Sequence, residues 1–188
     1  PKGLTKQETF HMVKIYQKAP EFSTQGYYEG KISNFSLKDW QGKWVCLFFY
    51  PLDFTFVCPT ELQQFTEKSE AFKRLNCQVA SVSVDSPYSH EAWSKGPLKE
   101  QRYPMLSDLN HAISQSYGCY LEDKGIALRA TYIIDPQGTL QWAQYHPLNV
   151  GREADEILRV LTALQTGELC QAGWKNGEET LTKKLARK

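Results

Sequence analysis

The chain of 188 residues has no long apolar run and no block of like charge. Its longest apolar stretch, residues 44–50, is far shorter than the ~20 residues that span a bilayer. The formal net charge is +1, and the main basic cluster, within residues 183–188, is typical of a solvated terminus. We therefore expect neither a membrane span nor a nucleic-acid partner.

Cysteine is also scarce, and its number is odd. The five cysteines are Cys46, Cys58, Cys77, Cys119 and Cys170. A sparse, odd set in a chain of this length does not indicate the disulfide framework of a secreted protein. The first ten residues contain no apolar segment or cleavage signature, so we expect a cytoplasmic protein unless a signal has been removed. In a reducing compartment, each cysteine is either a packing residue of the core or a reactive thiol.

Metal and cofactor signatures are absent from the sequence. No Cys-x-x-Cys pair occurs, and the four histidines do not have ligand spacing. A zinc site or a thioredoxin-type dithiol is therefore disfavoured. We see no flavin, haem or metal site, and we expect no cofactor.

The apolar pattern predicts alternating strands and helices. Expected strands cover residues 13–16, 44–50, 78–84, 105–106, 130–134 and 139–145. Expected helices cover residues 59–75, 86–95, 109–117 and 154–166, and residues 26–30 and 39–43 are rich in turn formers. The last two strands form a hairpin around residues 135–138. This order predicts an α/β domain with a mixed sheet over residues 1–166, followed by a polar tail over residues 167–188.

Cys58 lies at the start of an expected helix, directly after a buried strand. Unpaired N–H groups and the helix dipole at that position favour an anion, and the thiolate is the nucleophilic form of cysteine. A free cysteine is often only a small buried hydrophobic residue. Here the spacing Pro51-x-x-x-Thr55-x-x-Cys58 favours a reactive thiol at Cys58. Pro51 can shield the thiolate, and the Thr55 hydroxyl can donate to it while accepting from a peroxide O–H. Glu61, one helical turn later, can orient a cation.

Residues 49–61 read FYPLDFTFVCPTE and closely resemble the peroxidatic loop of the typical two-cysteine peroxiredoxins. Further segments resemble the same family in the same order: VSVDS at 82–86, RATYIIDPQG at 129–138, GR at 151–152 and ELCQAGW at 168–174. From about Val13 to the tail, the chain is similar to the alkyl hydroperoxide reductase C branch. The resemblance implies a thioredoxin-like fold with a central mixed sheet flanked by helices.

The resemblance also implies roles for individual residues. Cys58 would be the peroxidatic cysteine, and Thr55 and Arg129 would polarise the peroxide. Arg129 by itself would be interpreted as a surface charge. Glu61 and Arg152 would support Arg129 through ion pairs.

In such a family, Cys170 would be the resolving cysteine of an intersubunit disulfide. This implies a homodimer, commonly assembled into a decamer. The external reductant would be a flavoprotein disulfide reductase or a thioredoxin-like protein. Because the two sulfurs must meet, we expect the first turn after Cys58 and the tail around Cys170 to unwind during turnover.

One departure from the family pattern concerns overoxidation. Peroxide-sensitive members carry Gly-Gly-Leu-Gly before the third core strand and Tyr-Phe in a C-terminal helix. Here residues 96–99 read GPLK, and no Tyr-Phe follows Cys170. A less clamped tail would trap the sulfenic acid sooner, so we expect resistance to sulfinic modification.

Alternative functions use the same Cys58 differently. One is a glutathione- or thioredoxin-dependent peroxidase with another resolving scheme. The other is a redox sensor or holdase chaperone that uses Cys58 only as a switch. Of the remaining cysteines, Cys46 lies in an apolar strand and is expected in the core, while Cys77 and Cys119 are expected to be structural or incidental.

Overall fold

Alternate side chains of one central strand build the two cores of the molecule. A computed structural model describes residues 13–187. In the strand Trp44–Phe49, Val45, Leu47 and Phe49 enter one apolar cluster, whereas Cys46 and Phe48 enter a second cluster on the opposite face. Successive side chains of a strand point to opposite faces, so a continuous apolar run fits a strand covered on both sides.

The strand belongs to a seven-stranded mixed sheet. The strands of the described chain are β1 (Ser23–Tyr28), β2 (Lys31–Ser36), β3 (Trp44–Phe49), β4 (Cys77–Ser83), β5 (Met105–Ser107), β6 (Tyr120–Leu121), β7 (Ile126–Ala127), β8 (Arg129–Ile134) and β9 (Leu140–His146). The order in the sheet is β2-β1-β5-β4-β3-β8-β9, and β6 and β7 form a separate hairpin. Strands β3, β4 and β5 are parallel, and their neighbours on both sides are antiparallel.

Helices cover both faces of the sheet. They are α1 (Cys58–Glu67), α2 (Ser69–Arg74), α3 (Pro87–Lys95), α4 (Ala112–Ser116), α5 (Ala154–Thr166) and α6 (Leu181–Leu185), with a 3-10 turn at Leu37–Trp40. Helices α1, α2, α3 and α5 contribute apolar side chains to the cluster around Phe48, and α4 and the 3-10 turn contribute to the cluster around Leu47. The predicted α/β fold with a central mixed sheet is confirmed.

The structure corrects several predicted elements. Residues 13–16 do not form a strand; this segment turns, and only Lys18 makes an isolated bridge, to Thr139. Residues 26–30 belong mostly to a hairpin, because β1 pairs with β2 and only Glu29 and Gly30 make the turn, both at positive φ. The expected helix over residues 59–75 is two helices divided at Lys68.

Two short elements were not expected from the sequence. These are the hairpin β6–β7 and helix α6 in the tail. The helix expected over residues 109–117 is shorter, because the Asp108 carboxylate accepts from the amides of Ile113 and Ser114 and so caps a helix that begins at Ala112.

Candidate active site

Cys58 is the first residue of α1 and is completely buried. Arg129 Nη1 donates to Cys58 Sγ over 3.4 Å. Sheet topology explains this pairing of distant residues: β8 runs antiparallel to β3, so its first residue, Arg129, lies beside the end of β3, from which the chain leads to Cys58. A guanidinium at this distance stabilises a thiolate by direct charge attraction.

Glu61 binds two arginines, one on each side of its carboxylate. Its Oε2 accepts from Arg129 Nη1 at 2.7 Å and from Arg152 Nη2 at 2.9 Å, and its Oε1 accepts from Arg152 Nε at 2.9 Å. Burial by itself raises the pKa of Glu61, but the charges and hydrogen bonds of Arg152, with a smaller contribution from Arg129, outweigh it and leave the pKa below its usual 4.5. Glu61 is therefore ionised and fixes both guanidinium groups.

Arg152 also connects neighbouring strands. Its Nη1 donates to the carbonyl oxygens of Phe49 at 2.7 Å and Ala130 at 2.8 Å, and the guanidinium lies 5.1 Å from the centre of the Phe48 ring. The planar fork of arginine satisfies all these acceptors at once, which a lysine ammonium cannot do. Arg152 thus joins β3, β8 and α1 around the candidate site.

The loop before Cys58 differs in one respect from the expectation. Pro51 is buried, as a shielding residue should be. The Thr55 hydroxyl, however, donates to the Leu52 carbonyl oxygen at 2.9 Å, so its proton is not directed at the thiolate in this structure. Its lone pairs can still accept from a peroxide O–H. Phe54 lies between Leu52 and Thr55 in the chain and has φ +54°, which is strained for an aromatic residue.

Cys170 lies apart from this cluster, in the segment after α5, where it packs against the last turn of that helix. Its Sγ is 3.5 Å from Thr166 Oγ1 and 4.0 Å from the Ala163 carbonyl oxygen, and it is half-buried. Both Cys58 and Cys170 are free thiols. The structure therefore brings Cys58, Glu61, Arg129 and Arg152 together, and it places the expected resolving cysteine elsewhere, in the segment between α5 and α6.

Comparison with known proteins gives consistent matches over most of the chain. The model of the AhpC/TSA family matches residues 15–143. The chain belongs to this family. Peroxiredoxin prdx-2 of Caenorhabditis elegans is 47% identical over 176 residues, covering 89% of this chain and 88% of that protein.

Two solved structures agree with this assignment. A reduced 2-Cys peroxiredoxin of Plasmodium vivax matches with a TM-score of 0.85 and 35% identity, over 88% of this chain and 91% of that one. AhpC of Enterococcus faecalis matches with a TM-score of 0.79 and 40% identity, over 81% and 92%. The chain is a typical two-cysteine peroxiredoxin with a thioredoxin-like fold, and its activity is that of a thiol-dependent peroxidase. In general terms, the family uses a peroxide substrate and a thioredoxin-type reductant.

A buried polar network involves the loop that precedes Cys58, and the sequence did not predict it. The Asp53 carboxylate accepts from the Tyr50 hydroxyl at 2.7 Å and lies 2.8 Å from His90 Nδ1, while His90 Nε2 lies 3.1 Å from the Leu106 carbonyl oxygen. Each ring nitrogen of His90 thus lies beside an oxygen acceptor. The Asp53 amide donates to Asp85 at 2.9 Å. Asp53 follows Pro51 closely, which is the one local signal that could have pointed to it.

The remaining cysteines are unsuited to nucleophilic chemistry. Cys46 is buried, as expected, and Cys77 and Cys119 are buried as well. Burial raises the pKa of Cys46 to about 12 and raises the pKa values of Cys77 and Cys119 strongly. These thiols stay protonated near neutral pH, so they are core residues.

Residues 13–187 contain neither a metal-binding cluster nor a membrane-spanning helix. Within that range, no cluster of three histidine, cysteine or acidic side chains is arranged to hold a metal ion. In the same part of the chain, no helix has both the length and the apolar character needed to cross a bilayer.

Replacing Glu61 by glutamine tests how far the two arginines depend on its charge. Glu61→Gln leaves Arg129 and Arg152 buried without a counter-charge, so we expect a loss of about 3–5 kcal/mol in the free energy of unfolding at pH 7. The folded-state pKa of Glu61 is lowered, so its contribution is complete above the usual 4.5 and declines as the pH falls below that value. Urea denaturation at pH 7 and at lower pH measures both effects.

The control for this prediction is Glu91→Gln, which removes a carboxylate from the exposed pair with Lys95. Exposed pairs contribute only about 0–1 kcal/mol, so this variant should unfold nearly as the wild type does. Equal losses in the two variants, or a Glu61→Gln deficit that grows as the pH falls, would contradict the assigned role of Glu61.

Proposed function

We propose that Cys58 is the peroxidatic cysteine and that Arg129 is its principal partner. The observation that carries this proposal is the 3.4 Å contact between Arg129 Nη1 and Cys58 Sγ, beside a carboxylate that holds the same nitrogen. The Cys58 thiolate attacks the terminal peroxide oxygen, and the O–O bond breaks. The other oxygen leaves as alkoxide or hydroxide and takes a proton, and Cys58 becomes a sulfenic acid.

Arg129 acts on the leaving group as well as on the thiolate. Charge develops on the departing oxygen in the transition state, and donors already in place stabilise it most effectively. Arg129 is held on two sides, because its Nε donates to the Leu148 carbonyl oxygen at 2.8 Å and its Nη1 donates to Glu61. Thr55 accepts from the peroxide O–H, Pro51 shields the thiolate, and Glu61 and Arg152 position Arg129.

Cys170 resolves the sulfenic acid in this scheme. Its thiolate attacks the Cys58 sulfur, the S–O bond breaks, and the hydroxide that leaves takes up a proton to become water. The disulfide that forms is returned to two thiols by the external reductant. Residues 167–188 act as the unit that carries Cys170. A flavoprotein disulfide reductase and a thioredoxin-like protein are both compatible with this final step.

A homodimer is supported by the open edge of the sheet. Strand β9 is the last in the strand order, and within residues 13–187 only the start of its outer edge is covered, by hydrogen bonds between Leu140 and the segment at Tyr16 and Gln17. A second copy can pair with the backbone groups along the part of this edge that the described residues leave open. In that assembly, Cys170 of one subunit reduces the sulfenic acid of the other.

A larger assembly, such as a decamer, is supported by an apolar patch beside the peroxidatic loop. The exposed side chains of this patch are Leu52, Phe54, Phe56 and Tyr88. Phe56 is 94% exposed although it lies two residues before Cys58. Large contiguous apolar patches on a soluble protein mark interaction sites. The occupant in this proposal is another dimer of the same chain.

The proposed compartment is the cytoplasm. All five cysteines are free, and two of them are the redox pair, which requires reduction between turnovers. Cell fractionation with an antibody against the protein tests this location.

Single-cysteine variants separate the two chemical roles. We expect Cys58→Ser to abolish fast peroxide reduction, because no other thiol lies beside Arg129. We expect Cys170→Ser to retain one fast oxidation of Cys58 and to lose multiple turnovers. Stopped-flow measurement with hydrogen peroxide, with non-reducing gels of the same samples, checks both. A fully active Cys170→Ser enzyme, or an oxidised wild type that runs as a monomer, would rule out the intersubunit disulfide.

The apolar patch has its own test in sedimentation velocity. Phe56→Ser removes the most exposed aromatic side chain of the patch, so the reduced protein should shift toward dimers. The matched control is Leu185→Ser, which removes an exposed apolar side chain from α6 and should leave the distribution unchanged. A reduced wild type that sediments as a dimer would disprove the larger assembly.

Resistance to overoxidation is the third consequence of the proposed function. Because the chain lacks Gly-Gly-Leu-Gly and Tyr-Phe, Cys170 should trap the sulfenic acid before a second peroxide reacts. Mass spectrometry during turnover at modest peroxide excess should therefore find Cys58 mainly as disulfide. Rapid accumulation of sulfinic Cys58 under these conditions would refute this expectation.

A further inference from the structure

The tail that carries Cys170 is a closed loop. We define the tail loop as residues 169–181, because the Leu181 amide donates to the Leu169 carbonyl oxygen at 2.8 Å and closes it. Inside it, the Trp174 amide donates to the Gln171 carbonyl oxygen at 3.0 Å, and the indole Nε1 donates to the Glu178 carbonyl oxygen at 3.1 Å. The Trp174 side chain is only 3% exposed. The tail loop is therefore held together by hydrogen bonds of its own.

Polar contacts at two points join the tail loop to α5. At its start, Cys170 Sγ lies 3.5 Å from Thr166 Oγ1 and 4.0 Å from the Ala163 carbonyl oxygen. Further along, Arg159 Nη1 donates to the Trp174 carbonyl oxygen at 3.1 Å. Arg159 and Thr166 are seven residues apart in a helix, which places them on the same face. The segment from Cys170 to Trp174 thus runs along α5, and Arg159 holds the end farther from the thiol.

The Arg159 guanidinium is itself held in place by Glu156. Its Nε donates to Glu156 Oε2 at 2.7 Å, and its Nη2 donates to Oε1 at 2.8 Å. A bidentate pair fixes the plane of the guanidinium and leaves Nη1 directed at the Trp174 carbonyl. The pair is partly exposed, so it contributes little to global stability. Its structural effect is local, on the position of the tail loop.

We propose that Arg159, oriented by Glu156, is a positioning residue that controls the release of Cys170 from α5. The proposal rests on the assignment of Cys170 as the resolving cysteine. Cys170 is half-buried against α5, so its thiolate must leave that helix before it can attack a sulfenic acid. Release breaks the Arg159–Trp174 contact and carries the tail loop away. The strength of this contact then sets the rate of disulfide formation and the time during which the sulfenic acid of Cys58 is exposed to a second peroxide.

Labelling of reduced protein tests the release step without any turnover. A hydrogen bond from a charged donor contributes about a factor of ten to a local equilibrium. We expect iodoacetamide to modify Cys170 about ten-fold faster in Arg159→Gln than in the wild type, as followed by peptide mass spectrometry. Glu156→Gln should give a smaller increase, and Arg159→Lys an intermediate one. The matched control, Lys95→Gln, breaks an exposed ion pair on α3 and should change nothing. Unchanged labelling of Cys170 in Arg159→Gln would overturn the proposal.

Stopped-flow kinetics then test the consequence for the reaction. In Arg159→Gln, the first phase, oxidation of Cys58, should be unchanged, and the second phase, disulfide formation, should be faster. Less sulfinic Cys58 should accumulate at the same peroxide excess. A second phase that is unchanged or slower would overturn the control of resolution by Arg159. If Cys170→Ser still forms the disulfide-linked dimer, the assignment of Cys170 fails, and the labelling result still reports on the tail loop independently.

Discussion

The shared carboxylate of Glu61 is the interaction on which the site depends. Two guanidinium groups lie buried within the fold, and Glu61 provides their common counter-charge. Buried charges of like sign repel each other and are costly unless they are compensated and hydrogen-bonded. One acidic side chain on α1 therefore allows one arginine to face the thiol and another to join the strands behind it.

Topology brings these three charges together. Glu61 follows β3, Arg129 begins β8 and Arg152 lies just before α5, so they are far apart along the chain. The antiparallel pairing of β3 with β8 places the start of β8 next to the end of β3. The Arg152 amide also donates to Glu61 Oε1 at 2.9 Å, which fixes the segment leading into α5. The sheet order is thus a requirement of the chemistry as well as of the core.

The elements with a strong apolar period were the ones that the sequence predicted well. Strand β3 and helix α5 have long apolar patterns and clear boundaries, and both lie where they were expected. Strands β1 and β2 are largely polar in sequence, and only Gly26 and Tyr27 in them are buried. They therefore have no strong apolar pattern, and the composition marked only the turn between them. Helix α6 is five residues long and has no buried side chain, which leaves no apolar pattern to detect.

The site residues were found for a different reason. Cys58, Thr55 and Pro51 are close in sequence, and their spacing already indicated a reactive loop. Arg129 and Arg152 were found through resemblance to a family, because a single arginine in a sequence carries no sign of its partner. The orientation of the Thr55 hydroxyl and the links from Asp53 to His90 depend on side-chain contacts between distant segments, and no local pattern encodes them.

The many contacts of Glu61 also limit how far the reactive sulfur can travel. If the first turn of α1 opens as the proposed reaction cycle requires, Glu61 stays bound to two arginines. On the other side of the thiol, Asp53 stays bound in the network that includes Tyr50 and His90. Cys58 then lies on a short chain segment whose two ends, Asp53 and Glu61, stay in place. Three residues of extended chain span about 10 Å, so Cys58 stays within about that radius of Glu61. In the proposed reaction cycle, any greater separation between the two sulfurs has to be closed by movement of the segment that carries Cys170.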